Sequence, residues 1–570
     1  MKAGPAGPRR LLHVGVPPRL EALKDHLGAA IPLGGAQVAQ AAMAEAMLRY
    51  RPIEEICFVP AGTAPLARAR DLLAEYGYPG ATVVSPEEIA SHPGRSLIFQ
   101  NSPRLFEAAG LRSLLGKPDW PVVGVTHSLS IADGAMAALH GVLPSGFVAH
   151  FDRLICTSVA GQRAFRALQA QARRSLGNAV FGNAGPGKAC PPGTGISTEV
   201  IPLGVDAERY VPDRTPAPRT HLARLRMRPG DVVFLYCGRL SAEYKMDPFP
   251  LLATFAAAFR GQRSIRLILA GDSTGGAHAR VPATAAALGI GDQVTVVPDP
   301  SAADKLRLYQ AADVFVSLAD NLQETFGLSV IEAMSCGLPV IAADWSGFAE
   351  TVASGETGFL LPTTWCRPDE HASRVAVFTG EAAAHLALAQ EVSVDTRGAV
   401  TAMRRLASHP ALRRELGDQA RQRVLRRYAW SVVMEAYREL FSGLLDEAGE
   451  AGRAIGYPPF SYDHVAVFGH YASRVAGLPE VVELIPEDER YRAVAIGEAF
   501  AAAHGAGTGA ATAPGVAQAL ASCCPPGGRA SSTALIGSLA AVLGDRRAAI
   551  RVVQLLLKYG VLAAARWPAP

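Results

Sequence analysis

Two carboxylates stand eight residues apart in Glu324-Thr-Phe-Gly-Leu-Ser-Val-Ile-Glu332, which runs on through Cys336, Gly337 and Pro339. The apolar run Val314 to Ser317 reads as a strand, and Asp320 to Phe326 as the loop that leaves it. Leu328 to Cys336 reads as a helix closed by Gly337, with Pro339 to Ala343 as the next strand. The N–H groups of Gly327, Leu328 and Ser329 would then sit at the positive end of a helix, a favourable place for a phosphate. Glu332, about one turn in, is placed to accept hydrogen bonds from sugar hydroxyls. Glu324 precedes the helix, on the side where the phosphate's substituent would lie, and Phe326 sits between them. The pattern suits a molecule with phosphate in its middle and hydroxyls at both ends. A nucleotide sugar is such a molecule.

Arg239 and Lys245 follow Gly238 at the end of the apolar run Val232–Tyr236. Such a pair can neutralise a diphosphate through charge-assisted hydrogen bonds, and Gly238 would let backbone approach the ligand. A solvated surface pair is the plain alternative. Asp272 follows Leu269-Ala-Gly271 at another strand end. His127 follows Val122–Thr126, where a lone histidine is ordinarily a satisfied polar residue. No Asp-x-Asp pair offers to hold a metal under the diphosphate. Gly182-Asn-Ala-Gly-Pro-Gly187-Lys188 has the glycine spacing of a phosphate-binding P-loop, but Ala189 stands where Ser or Thr should hold magnesium. Cys190-Pro191-Pro192 also bars the helix that should follow, so an irregular loop is expected.

These residues need a scaffold, and apolar strand-like runs alternate with Ala/Leu-rich helical stretches along most of the chain. The first half carries Leu11–Gly15, Ile56–Val59, Leu97–Phe99, Val122–Val125 and Leu154–Thr157. After a Pro/Arg-rich connector, Val211 to Pro229, come Val232–Tyr236, Arg266–Ala270, Val294–Val297, Val314–Ser317 and Pro339–Ala343. The βαβ rhythm occurs twice, which predicts an α/β fold of two doubly wound parallel sheets. In such sheets ligands gather at the carboxyl ends of strands. The helix from Trp430 carries an apolar stripe at residues 430, 433, 434, 437 and 441.

At this point the chain resembles a known family. The segment Glu324 to Glu332, with Gly337 and Pro339, is similar to the E-x7-E signature of retaining GT-B glycosyltransferases of the family-4, or group 1, type. Three more stretches match in order. Val200-Ile-Pro-Leu-Gly204-Val-Asp206 to Tyr210 resembles the segment that closes the first domain. Tyr236 to Lys245 resembles the diphosphate-binding strand end, and Leu269 to Asp272 the strand end behind the nucleotide pocket.

The resemblance covers roughly residues 10 to 445 and implies two Rossmann-like domains facing a cleft. Residues 1–210 would form the acceptor-side domain, and 211–429 the nucleotide-sugar domain. The crossover helix 430–445 would return to the first. The resemblance also implies that His127 faces the transferred sugar, and that Gly34-Gly35 is the first glycine loop, although a plain turn is nearly as good a reading of that pair. The implied reaction is transfer of a sugar from a nucleoside diphosphate sugar to a hydroxyl of a glycan, glycolipid or lipid-linked acceptor, with retention. No carboxylate can be assigned as a covalent nucleophile, so a front-face route is preferred. With Arg239, Lys245 and a helix N-terminus supplying positive charge, neither metal nor cofactor is required. Rival readings are a GT-B phosphorylase or nucleotide-sugar epimerase, and a non-catalytic scaffold that recruits partners through its C-terminal extension.

Composition sets limits. A chain of 570 residues exceeds a single core, and 49% hydrophobic residues mark it as globular. The net charge of +4 is spread without Lys/Arg blocks, which argues against nucleic acid. No apolar run reaches the length of a membrane span, and Leu11 to Val16 is too short for a signal peptide. The eight cysteines show no zinc-ligand spacing and read as buried thiols of a reducing compartment. A cytoplasmic protein is expected, with peripheral contact at the inner face of a membrane left open.

Residues 446–570 match nothing recognised and read as a mainly helical extension of unknown role. Within it, 501–531 is Ala/Gly/Thr/Pro-rich and reads as a linker. Ile550, Val553 and Leu557 form a helical stripe that must be buried on the enzyme, on a partner or at a membrane surface; docking on the enzyme is preferred. Removal of the chain beyond about Ser531 is accordingly expected to leave a soluble chain that still binds nucleoside diphosphate.

Overall fold

The structure, a computed structural model, describes residues 10–14, 35–59, 81–84, 88–89, 96–117, 119–129, 132–142, 148–180, 195–215, 220, 225, 227–271, 277–366, 381–448, 471, 474–485, 489–504, 513–525, 527–544 and 546–565. Gly34, Asp272 and the segment Gly182–Lys188 lie outside them. The chain divides into two compact units. One comprises Met1–Val211, Thr325–Ser335 and Gln422–Tyr462, and the other Pro212–Glu324, Cys336–Arg421 and Asp463–Pro570.

The first unit is built on seven strands: β1 (Arg10–Val14), β2 (Glu55–Val59), β3 (Ala81–Val83), β4 (Ser96–Gln100), β5 (Val122–Thr126), β6 (Arg153–Cys156) and β7 (Ser197–Val200). They lie in the order 3-2-1-4-5-6-7, and every pairing is parallel. β4 and β5 are buried at every position, as strands covered on both faces must be. Asp152 anchors the start of β6. It accepts from Arg112 Nη1 (2.7 Å), Val122 N (2.8 Å) and Ala149 N (2.7 Å), so the buried ion pair has its remaining lone pairs satisfied.

The helix Trp430–Glu447 belongs to this unit. Val205 N donates to Tyr428 O (2.8 Å) and Trp430 N to Val205 O (3.1 Å), which pins the chain just before the helix. Its stripe Trp430, Val433, Met434, Tyr437 and Phe441 is buried, with Leu444 and Leu445 extending it. Tyr437 and Phe441 set ring edges against Phe99 of β4, at 6.3 and 6.0 Å between centroids.

The second unit carries six strands: β8 (Val232–Cys237), β9 (Ile265–Gly271), β10 (Val294–Pro298), β11 (Val314–Ser317), β12 (Val340–Ala343) and β13 (Gly358–Leu361). Their order is 10-9-8-11-12-13, again all parallel. Both sheets therefore start at an inner strand and wind outward in two directions, the doubly wound Rossmann-like arrangement. Strand order reverses between β8 and β11, where loops diverge and ligands find room.

The chain beyond the crossover helix is mainly helical, but it does not stand apart as a third unit. β16 (Arg474–Ala476) pairs in parallel with β14 (Thr363–Cys366), whose other neighbour is β15 (Val392–Val394). β17 (Val481–Leu484) takes β18 (Arg529–Ser531) and β19 (Leu562–Ala564) on either side, both antiparallel. Four helices accompany these strands: Glu489–His504, Ala513–Cys523, Ser532–Leu543 and Arg546–Lys558.

The linker expected over 501–531 is corrected here, since helix Ala513–Cys523 and strand β18 occupy much of it and only 505–512 and 526 fall outside the described residues. Alanine reads as low complexity, yet it is also the best helix former, and Val516 and Leu520 give the helix a buried face. Val553 and Leu557 are buried within the second unit and Ile550 is half-buried. Among the described residues no helix is long and apolar enough to cross a membrane. The seven described cysteines are free, and six of them are buried.

Candidate active site

In the second unit the chemistry gathers where strand order reverses. β8 ends at Cys237, and Gly238 N donates to Ala270 O of β9 (2.9 Å). A Cβ on Gly271 would stand 1.8 Å from the Gly238 carbonyl oxygen, so these two strand ends can meet this closely only with glycine at 271. Beneath them Tyr236 is buried, and its hydroxyl donates to Arg239 O (2.9 Å), which shapes the turn out of the strand. Burial pushes the Tyr236 phenol well above its ordinary range, so it serves as a fixed donor. The Arg239 guanidinium lies over the Tyr244 ring, 5.1 Å from its centroid. Lys245 N donates to Ser241 O (2.8 Å), closing the tight loop that carries the lysine.

β11 is hydrogen-bonded beside β8, and the loop after it brings in the first carboxylate. Lys245 Nζ forms an ion pair with Glu324 Oε2; the two side chains are 22% and 6% exposed. Asn321, fully buried, joins the two loops: its Nδ2 donates to Ala242 O (3.2 Å) and Glu243 O (2.9 Å). Its own carbonyl accepts from Trp345 Nε1 (3.0 Å) and from Glu324 N (3.0 Å). A single amide thus sets the register between the lysine loop and the glutamate loop. Nothing in the sequence pattern marked Asn321. Its signal is a carboxamide buried beside two loop carbonyls, which only the fold supplies.

The boundary between units falls immediately after Glu324. Thr325, Phe326 and the helix Leu328–Ser335 belong to the first unit. Gly327 has φ +98, a backbone that glycine adopts without strain, and its carbonyl accepts from Val330 N (3.0 Å). The helix therefore begins at Leu328, with the N–H groups of Gly327, Leu328 and Ser329 at its N-terminal end. Glu332 lies one turn in and is 6% exposed. Phe326 packs its ring against Tyr428, 5.9 Å between centroids. Ser335 Oγ donates to Tyr210 O (2.7 Å), and Gly337, φ +76, ends the segment.

Also in the first unit, His127 stands one residue beyond β5. Its Nε2 lies 2.8 Å from Asn101 Oδ1, beyond β4, and its carbonyl accepts from Thr325 Oγ1 (3.0 Å). Asn101 is held in turn by Gln40, whose Nε2 donates to Asn101 O (2.7 Å). Gln40 lies on the helix Gly35–Tyr50, which opens at Gly35. The helix start, the end of β4 and the end of β5 are thereby fastened together around His127. Asn101 and Gln40 escaped the sequence reading for the same reason as Asn321.

Gly238, Arg239, Lys245 and Glu324 thus converge in one unit, while Glu332, Phe326, Gly327, Leu328, Ser329, His127 and Gly35 lie in the other.

The family model of glycosyl transferases group 1 matches residues 219–379, which spans β8 to β14. D-inositol 3-phosphate glycosyltransferase of Segniliparus rotundus is 34% identical over 173 residues, covering 29% of this chain and 37% of that protein. The same enzyme of Rhodococcus opacus is 34% identical over 197 residues, covering 34% and 42%. The chain therefore spans less than half the length of these curated relatives. Among solved structures, Anabaena HepE in complex with UDP aligns over 76% of this chain and all of its own, with TM-score 0.51 and 18% identity. A glycosyltransferase of Rickettsia africae aligns over 77% and 99%, with TM-score 0.50 and 14% identity. The chain has the GT-B fold, and its residues 219–379 match the model of the glycosyl transferases group 1 family.

Proposed function

We propose that the protein transfers a sugar from a nucleoside diphosphate sugar to an acceptor hydroxyl, with retention of anomeric configuration. The observation that carries this reading is the placement of Arg239, Lys245 and Glu324 on loops from β8 and β11, adjacent parallel strands at the reversal point. Two cations with a half-buried ammonium suit a diphosphate, and the buried carboxylate of Glu324 keeps Lys245 aimed. The match of residues 219–379 to the glycosyl transferases group 1 model, and the 34% identity over 173 residues to a D-inositol 3-phosphate glycosyltransferase, support glycosyl transfer as the reaction class.

In the proposed reaction the bond from the sugar's anomeric carbon to the diphosphate oxygen breaks as a bond to the acceptor oxygen forms. The acceptor's proton passes to the leaving phosphate oxygen on the same face. Charge grows on the leaving group, and preorganised cations that meet it there supply the largest catalytic term. Gly238 and the N-terminal end of helix Leu328–Ser335 are proposed to meet phosphate oxygens, and Glu332 sugar or ribose hydroxyls. The roles of His127, Gly34, Gly35 and Asp272 rest on the resemblance alone. The acceptor is proposed to be a glycan or a lipid-linked hydroxyl.

The test is to incubate the protein with a panel of nucleoside diphosphate sugars and hydroxyl acceptors, in excess chelator, and to resolve the products. Free nucleoside diphosphate and an equal amount of glycosylated acceptor, with the donor's anomeric configuration kept, are expected. Sugar 1-phosphate formed with inorganic phosphate, or an epimerised donor, would instead identify the rival chemistries.

A further inference from the structure

The extension ends in a helix, Arg546–Lys558, whose last turn reaches the two loops just described. Lys558 is 2% exposed, and its ammonium forms an ion pair with Asp320 Oδ2. It also donates to Ala389 O (2.8 Å). Asp320 is itself buried; burial pushes its carboxyl up to about 6, against the pull of Lys558. The neighbouring residue, Tyr559, is 2% exposed, and its hydroxyl hydrogen-bonds the Asp247 carboxylate. Asp247 Oδ1 accepts from Phe249 N (2.9 Å) as the N-cap of helix Pro248–Phe259, and the Tyr559 ring meets Phe249 edge-on at 4.6 Å.

Two consecutive residues therefore grip two different loops. Asp320 precedes Asn321, the amide that holds Ala242 and Glu243, and lies four residues before Glu324. Asp247 lies two residues after Lys245. Burying a lysine and an aspartate is costly, and apolar residues would close this helix onto the unit at least as well. What a directional ion pair adds is a fixed position for the loop that carries Asp320.

Resting on the donor site proposed above, we infer that Lys558 is a positioning residue for that site, holding the β11 loop so that Glu324 and Lys245 stay in register. The C-terminal extension then forms part of the catalytic apparatus through its last helix. Lys558 does not touch substrate; it acts through Asp320 and the loop.

Three variants test this at temperatures well below unfolding, each read by donor turnover and by amide hydrogen exchange over residues 241–247 and 318–324. Lys558→Met leaves Asp320 buried without its cation and is the direct perturbation. Lys558→Met with Asp320→Asn removes both charges and keeps the protein falsifiably folded should the single variant fail to fold. Arg551→Ala, on the same helix, breaks the hydrogen bond to Gln390 Oε1 (2.5 Å) and serves as the control for helix docking.

The double variant is expected to lose at least fivefold in kcat, with faster exchange at both loops. The control should lose melting temperature and keep kcat within twofold. A double variant with kcat and donor KM within twofold of wild type, or with unchanged loop exchange, would overturn the positioning role. Absence of donor turnover in the wild-type protein would sink the donor reading instead, and the exchange readout would still decide whether Lys558 orders the loops.

Discussion

At the scale of single residues, Arg239 and Lys245 differ in what surrounds them, and the difference decides how each should be tested. Arg239 rests on the Tyr244 ring, whereas Lys245 pairs with a Glu324 that is 6% exposed. Lys245→Ala would leave that carboxylate without its cation and so disturb the loop as well as the chemistry. Arg239→Ala removes charge with less structural cost. If the guanidinium stabilises the leaving diphosphate, kcat should fall about two to three orders of magnitude, roughly 2.7–4 kcal/mol by analogy with losing one oxyanion donor. Donor turnover and a thermal melt on the same sample check this, and near-wild-type turnover would remove Arg239 from the site. The E-x7-E segment and the Gly-Arg-x5-Lys stretch were readable as candidates because each is local in sequence. Asn321, Asp320 and Lys558 were not, because their partners lie 79 and 238 residues away and no local spacing encodes such a contact.

At the scale of elements, strands buried on both faces announce themselves as continuous apolar runs, and most of them stand within a residue or so of their expected bounds. Val314–Ser317 occupies its expected span, and Val340–Ala343 begins one residue later than expected, since Pro339 has no N–H to give a ladder. β3 was not readable: three residues, one of them exposed, give too little period to detect. The helix Trp430–Glu447 was the clearest amphipathic signal, and its packing now gives the stripe an energy. Phe441 is fully buried against Phe99 and Tyr437, so Phe441→Ala should destabilise by about 3–5 kcal/mol. Chemical denaturation with a fluorescence readout measures it. A loss below about 1 kcal/mol would mean that the helix is not part of the first unit's core.

At the scale of the whole molecule, the extension is where reading by composition and reading by packing part company. Composition suggested a tail that could be cut away beyond Ser531. The structure places the excised part inside the second unit: Val552, Val553, Leu555 and Leu556 are fully buried, and β19 completes the sheet around β17. Those four side chains alone account for roughly 6–12 kcal/mol of burial at about 1.5–3 kcal/mol each, comparable to the net stability of an entire domain. Cutting there would also strip Asp320 of Lys558 and Asp247 of Tyr559. A chain ending at Ser531 is therefore expected to aggregate, or to melt at least ten degrees lower with its loss confined to the second unit. Light scattering and a thermal melt with and without nucleoside diphosphate distinguish the cases. If the shortened chain stayed soluble with unchanged stability and only its oligomeric mass fell, the last helix would be an interface for another copy, and its place within the second unit would have to be abandoned.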